Sequence, residues 1–306
     1  MIIAVDHGNK QMKTANTVFT SGLLESDVKP PFGEGIIKFK DKFYALTEKR
    51  ISVLRDKTVD NRFYILTLFA VAFEIEATGS YNEHGVTDIT LLAGLPPAHY
   101  GAQYEAFEKY FLRNGEPVSF TFNDRPFNIR FTNVCTYPQA YAAAMPIYST
   151  LAGLPKVTVI DIGGFTADYL QIIGGKQELG MCDSLDNGVI RLYSTIRSKV
   201  NSTKAIRLEE SEIDAVLSGG QVVVAEDIQE LIFKSSQAFV NEFLSLLAEL
   251  MIELRTGKVI FVGGGSIRLR KQIEASQKVA APMFVDDIKA NVKGYELLYI
   301  ASQLGQ

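Results

Sequence analysis

Two short apolar runs in this chain end in the same way, in an aspartate, one further residue and a glycine: "IIAVDHGN" at 2–9 and "VTVIDIGG" at 157–164. Carboxylates and glycines do not fill a core, so their place at the ends of strand-like runs points to a site. Glycine allows a tight turn with positive φ, and the N–H groups exposed by such a turn form a concave cradle for phosphate oxygens. A carboxylate beside a polyanion is repelled unless a cation lies between them. The pattern therefore implies Mg²⁺, held through waters because that ion gives up its hydration reluctantly. Asp6 and Asp161 are the candidate metal-organising groups, with Gly8 and the turn Gly163-Gly164-Phe165-Thr166 as the cradles.

Other residues near these turns fit phosphate chemistry. Asn9 and Lys13 follow the first turn, and Lys13 can place a positive charge against a β- or γ-phosphate. Thr166 offers a hydroxyl beside the second. Gly263-Gly264-Gly265-Ser266 follows a third apolar run and opens a helix, a usual way for backbone to approach a nucleotide. Each feature alone has a plainer reading, as a polar turn or a loop; three such turns in one chain do not. The familiar alternatives are absent. No Gly-x-x-x-x-Gly-Lys-Ser/Thr occurs, and Arg268 stands where a dinucleotide fingerprint or a nucleophile elbow wants glycine. His7, His84 and His99 lack partners at useful spacing and read as surface or turn histidines.

The elements that must position these residues alternate between strand and helix. Strand-like runs at 17–24 and 35–46 suggest a small meander, and 62–77 has the period of an amphipathic helix. A buried strand ends at Gly94-Leu95-Pro96-Pro97, before a helix over about 98–113. Strands at about 117–123 and 127–134 then lead to Pro138 and an Ala-rich helix. In the second half strands are expected at 157–162 and about 168–173, with a hairpin through Gly174-Gly175, then helices near 184–200, 226–254, 266–275 and 286–302, with the strand "KVIFV" after the second of them. The long helix is expected to stop at Thr256-Gly257. The echo between 2–9 and 157–164 suggests two related halves of about 150 residues each.

Composition places limits on function. The 306 residues are 47% hydrophobic and 22% charged, enough for a sizeable core in one large or two medium domains. A net charge of −4 without a block of like charges argues against direct nucleic-acid binding. No apolar stretch nears the roughly 18–20 residues of a membrane span, and no leader pattern opens the chain, so a cytoplasmic location is expected. Cys135 and Cys182 lack metal-ligand spacing and read as reduced and inert.

Taken in order, five segments resemble the actin-like ATPase superfamily: "VDHGNKQMK" (5–13), "CTYPQAYAAA" (135–144), "VIDIGGFTAD" (159–168), "IFVGGGSIR" (260–268) and "DIKANVKGYELLY" (287–299). They look like the first phosphate loop, first connecting segment, second phosphate loop, adenosine motif and second connecting segment. The wording "DHGN…K" and "DIGGFTAD" is most similar to bacterial plasmid-segregation actins of the ParM/StbA type, with archaeal actin-like proteins close behind. The resemblance implies an actin-like, ribonuclease H-like α/β fold with two domains around a nucleotide cleft. Domain I would span 1–155, with a small subdomain at about 20–60 and a C-terminal helix at about 286–306 packing back on it; domain II would span 156–285, with a small subdomain at about 184–225.

The resemblance also implies ATP or GTP with Mg²⁺, organised by Asp6 and Asp161, with Gln139 positioning the attacking water. Gly8, Asn9, Lys13, Gly163, Gly164, Phe165, Thr166, Gly263, Gly264, Gly265 and Ser266 would contact the nucleotide, and Arg268 would stack on the base. Gln139 stands where many ParM-type proteins have Glu, and Glu209 and Glu210 are candidates for the ribose. Self-assembly into filaments, and a DNA-bound adaptor of the ParR type that links them to plasmid DNA, follow from the same likeness. A small-molecule kinase, a chaperone-like protein and a non-polymerising nucleotide switch are the alternatives on this fold.

Overall fold

The computed structural model describes residues 1–33, 35–151 and 153–304. The chain divides into two units, Met1–Pro146 with Asn291–Gln306, and Ile147–Ala290.

In the first unit the order is β1 (Ile2–Ala4), β2 (Asp6–His7), β3 (Gln11–Lys13), β4 (Val18–Thr20), β5 (Leu23–Ser26), β6 (Ile36–Phe39), β7 (Lys42–Leu46), α1 (Arg62–Ala77), β8 (Thr87–Leu95), α2 (Pro97–Leu112), β9 (Val118–Phe122), β10 (Arg125–Pro138) and α3 (Tyr141–Ala144). Seven strands form one sheet in the order β1-β8-β10-β9-β6-β7-β5, and β2, β3 and β4 form a second. The first run of the chain thus changes sheets. β1 pairs with β8 in parallel, Val5 donates its N–H to Leu92, and β2 then turns to pair with β3. Asp6 lies at that change of partner. α1 matches the expected span but is not amphipathic; twelve of its 16 residues are buried, because it is packed on more than one side within the aromatic core of this unit.

The second unit runs α4 (Tyr148–Leu151), β11 (Lys156–Ile162), β12 (Ala167–Ile173), β13 (Lys176–Leu185), α5 (Val189–Lys204), α6 (Glu210–Ser218), α7 (Glu226–Glu249), β14 (Lys258–Val262), α8 (Gly263–Arg268), α9 (Arg270–Ala275) and β15 (Pro282–Phe284). Its sheet has the order β13-β12-β11-β14-β15, with β11, β14 and β15 parallel. β11 is buried along almost its whole length, as a central strand covered on both faces must be. α10 (Ala290–Leu304) returns to the first unit, where Val292 and Tyr295 pack with Ala4, Leu92 and Ala142. Residues 305 and 306 of the expected C-terminal helix lie outside the described residues, as does residue 34 of the expected small subdomain.

Several boundaries differ from the sequence expectation. α7 ends at Glu249 rather than at Thr256-Gly257, because Met251 takes the left-handed conformation (φ 64°). Its N–H bonds to the Ala248 carbonyl and that of Ile252 to Leu247, the paired closure of a Schellman cap. The apolar period continues past the cap only because Ile252 and Leu254 are buried from an irregular segment. The helix expected near 184–200 starts later, since β13 holds residues up to Leu185. The helix expected near 266–275 is two helices meeting at Leu269, and β15, which was not anticipated, precedes α10.

Candidate functional site

In the first unit the structure gathers on Asp6 one residue from seven positions on, Lys13, and one from far along the chain, Gln139. Antiparallel pairing of β2 with β3 sets Lys13 directly opposite Asp6, and Lys13 Nζ donates to Asp6 Oδ2 at 2.9 Å. From the end of β10, Gln139 Nε2 donates to Asp6 Oδ1, also at 2.9 Å. Asp6 is 3% exposed, so its charge is sustained by these donors rather than by bulk water. Gly8 is required at its position: a Cβ there would lie 2.4 Å from the Gln11 carbonyl oxygen. Asn9 is committed to the scaffold through Oδ1, which accepts the N–H of Leu54 at 3.2 Å, leaving its amide for other use.

Gln139 is presented by a feature that the sequence did not signal. Its own N–H is held by the Leu95 carbonyl at 2.9 Å, and the N–H of Tyr141 turns back to the Gln139 carbonyl at 2.6 Å. Ala140, between them, has φ 61° and ψ −51°, the rare positive-φ form of a γ-turn. A non-glycine residue there stores on the order of 1–3 kcal/mol of strain.

His7 was read as a surface or turn histidine, and the structure overturns this. It is fully buried, with its ring 5.5 Å from that of Phe107 and 4.9 Å from that of Phe111. Alternation along β2 sends Asp6 and His7 to opposite faces, so the residue after the site faces the core. His7 Nε2 lies 2.9 Å from Thr67 Oγ1, which in turn lies 2.7 Å from the Phe63 carbonyl oxygen, so the ring is hydrogen-bonded to α1. Burial, then the nearby Lys57 charge, pull the His7 pKa down to about 3. His84 is exposed as expected, and His99 lies part-buried in the first turn of α2.

In the second unit the turn at 163–166 joins β11 to β12. The Gly163 N–H bonds to the Thr166 carbonyl at 2.9 Å, while the carbonyls of Gly163, Gly164 and Phe165 accept from Val189, Ile190 and Gly188. The start of α5 thus consumes the carbonyl side of the turn. Among the described residues no backbone acceptor takes the N–H of Gly164 or Thr166, and the turn is part-exposed. That is the polarity an anion cradle needs. Gly188 carries this docking, since a Cβ on it would come within 2.4 Å of the Gly164 carbonyl oxygen.

Asp161 is 5% exposed and touches the third glycine segment: a Cβ on Gly263, whose φ is 85°, would lie 2.1 Å from Asp161 Oδ1. The register also places Asp168 directly opposite Asp161, and both are buried. Facing carboxylates repel, so the pair suits a neighbouring cation. Asp168 was present in the motif but not singled out; a four-residue turn between strands that pair 162 with 167 fixes its position.

The segment 263–266 follows β14 and opens a helix, as expected, forming the first turn of α8. Gly265 is packed against Ile162 and Val189, and Ser266 is fully buried, so its side chain faces the core and not the outer side of the turn. Arg268 Nη1 donates to the Gly264 carbonyl at 2.8 Å. Its Nε lies 2.8 Å from Asp214 Oδ1 without the N–H pointing along the contact, a charge pair rather than a hydrogen bond. Asp214 also accepts from Tyr193 OH, whose pKa is raised by burial and then by this carboxylate. Asp214 was missed although it lies in the segment that holds Glu209 and Glu210. Glu209 itself caps α6, its side chain taking an N–H of the first turn while its own N–H bonds to Glu212. Glu210 lies in that first turn.

Among the described residues no three His, Cys, Asp or Glu side chains gather into a metal-binding group. The protein offers one carboxylate beside the first glycine turn and a facing pair, Asp161 and Asp168, beside the second. In each unit taken by itself, a carboxylate beside a glycine turn, Asp6 in the first and Asp161 in the second, fits an ion that keeps its waters and takes phosphate oxygens, as Mg²⁺ does. No helix among the described residues is long and apolar enough to cross a membrane.

Residues 159–275 match the family model for the C-terminal part of MreB-like archaeal actin homologues. No curated protein matches the chain in sequence. Among solved structures, the archaeal actin homologue Ta0583 is 16% identical with a TM-score of 0.79, covering 98% of this chain and 99% of that one. The same protein has been solved in complex with ADP. A non-polymerisable quadruple mutant of pCBH ParM is 21% identical with a TM-score of 0.73, covering 99% of both chains. The filament structure of AlfA from a B. subtilis plasmid is 12% identical with a TM-score of 0.64, covering 97% and 98%. The chain therefore has the actin-like fold, and within it residues 159–275 match the C-terminal domain of MreB-like archaeal actin homologues.

Proposed function

We propose that this chain binds and hydrolyses ATP or GTP with Mg²⁺ and assembles into filaments under control of the nucleotide. The observation that carries the reading is the gathering of Lys13 and Gln139 on one buried carboxylate, Asp6, at a strand end beside a glycine turn. An amide and an ammonium arranged in this way align a water and neutralise phosphate charge. The second glycine turn, with Asp161 at its base and α5 behind it, supplies further phosphate contacts. Mg²⁺, when bound with the nucleotide, would offset charge on the transferring phosphate. In this reading Asp6 and Asp161 orient waters of the ion, Gln139 aligns the attacking water, and Lys13 moves between Asp6 and a phosphate oxygen.

Support for assembly comes from proteins of the same fold: AlfA has been solved as a filament, and the ParM neighbour is described as a non-polymerisable mutant. Filaments arise when a head-to-tail contact does not close into a ring. By the same likeness we propose a role in plasmid DNA segregation through a DNA-bound adaptor. The test is light scattering and sedimentation of the purified protein at micromolar concentration with Mg²⁺ and ATP or GTP. Scattering and a pellet that appear with triphosphate and decay with hydrolysis are expected. Tight binding and turnover without assembly over a wide concentration range would instead make the chain a kinase or a nucleotide switch.

A further inference from the structure

We propose that Ala140 is a positioning residue for Gln139, kept in its strained turn by α10, so that the C-terminal helix takes part in hydrolysis without touching the nucleotide. This rests on the reading of Gln139 given above.

The backbone of Gln139 is fixed on its upstream side by the Leu95 carbonyl, and its side chain reaches Asp6. The γ-turn at Ala140 reconciles these two contacts with a helix that begins one residue later, at Tyr141. A relaxed φ at residue 140 would swing α3 or Gln139 away, so the turn persists only if something seats both flanks. α10 does this with two close approaches. Gly294 lies against the backbone of Ala142, where a Cβ would come 1.8 Å from the carbonyl oxygen. On the other flank a Cβ on Gly94, one residue before Leu95, would come 2.0 Å from Tyr295 OH, and the Tyr295 ring stacks on Tyr137 at 6.0 Å. Ala140 is fully buried, so the turn has no solvent-facing route to relax.

The experiment is a mutant cycle in the full chain, measuring affinity for Mg²⁺ with a fluorescent ATP or GTP analogue, single-turnover hydrolysis, and thermal melting. Gly294→Ala forces Ala142 outward and is expected to slow the single-turnover step by about 10-fold, with nucleotide Kd within about 3-fold, because a misplaced aligning group costs rate more than binding. Ala140→Gly loosens the turn without adding an atom and is expected to slow the step by about 3-fold or more. In a Gln139→Ala background neither change should slow hydrolysis further, since the strain acts through that side chain. If Gly294→Ala does not fold, Ala140→Gly completes the same cycle. Equal loss of affinity and rate, full additivity with Gln139→Ala, or no effect overturns the proposal. A wild-type protein that binds nucleotide without hydrolysing it overturns this proposal but not nucleotide binding; one that binds none overturns both.

Discussion

Asp6 and His7 are neighbours on one two-residue strand with opposite fates: one holds a charge against two donors, the other is a neutral ring among phenylalanines. The pKa of His7 in the fold, about 3, lies below its ordinary 6.5. Between those values the unfolded chain takes up a proton that the folded chain refuses, so stability is complete above pH 6.5 and falls as pH is lowered toward 3. Acidification from pH 6.5 to about 5 should cost about 2 kcal/mol from this group alone. Urea unfolding at the two pH values, in wild type and His7→Gln, isolates it as the part of the pH dependence that the variant lacks; an unchanged dependence would mean that His7 titrates normally. Asp161 calls for a kinetic test. Its place beneath the second turn, facing Asp168, suits a group that organises water rather than one that grips nucleotide. Asp161→Ala should keep nucleotide affinity within about 10-fold while losing most hydrolysis, a drop of about 100-fold or more. Unimpaired turnover would move the catalytic role elsewhere.

The glycine turns are only as good as the elements that press on them, and the sequence told less about those elements than about the turns. Asp-x-Gly at the end of an apolar run was legible because it breaks the packing pattern abruptly. Gly188 was not, since one glycine before a helix signals nothing until Gly164 and Phe165 are found against it. The cross-strand meeting of Lys13 with Asp6 was hidden for a related reason: β3 has three residues, too few to show a period. The Ala140 turn left no mark either, because alanine, unlike glycine or asparagine, does not signal a positive φ. The cap of α7 misled in the reverse sense, with Met251 taking the left-handed place and Gly257 lying beyond. From the docking of α5 follows a test. Gly188→Ala inserts a methyl into the carbonyl side of the 163–166 turn, and the turn must shift to admit it. Weaker binding of Mg²⁺-ATP or Mg²⁺-GTP, by about 10-fold, with far-UV circular dichroism unchanged is the expected result. Undiminished affinity would show that the turn does not contact phosphate.

For the molecule entire, the long-range echo between 2–9 and 157–164 was the most informative sequence feature: one copy crosses from the seven-stranded to the three-stranded sheet of the first unit, and the other lies on β11 and the turn after it in the second. The same breadth of view applies to charge. Against 35 acidic residues stand 31 Lys and Arg, and many exposed cations are already matched: Lys29 with Asp124, Lys42 with Asp27, Arg130 with Asp88, Lys204 with Asp227 and Arg270 with Asp286. The most basic stretch, Arg197, Lys199, Lys204 and Arg207 on and after α5, holds four cations, one of them paired, within 11 residues. Binding duplex DNA at physiological salt takes several simultaneous phosphate contacts, each releasing a counterion, and a net −4 surface opposes the approach. The purified chain should therefore leave a plasmid-length duplex unretarded in a gel shift at about 150 mM salt, with or without Mg²⁺ and nucleotide. Polymer pelleted with ATP or GTP should likewise leave the DNA in the supernatant until an adaptor is supplied. Retardation by this chain alone that weakens steeply with salt would place DNA binding on the protein itself and remove the need for an adaptor. Charge reversal at Arg197 and Lys199 would then show whether α5 is the surface that holds it.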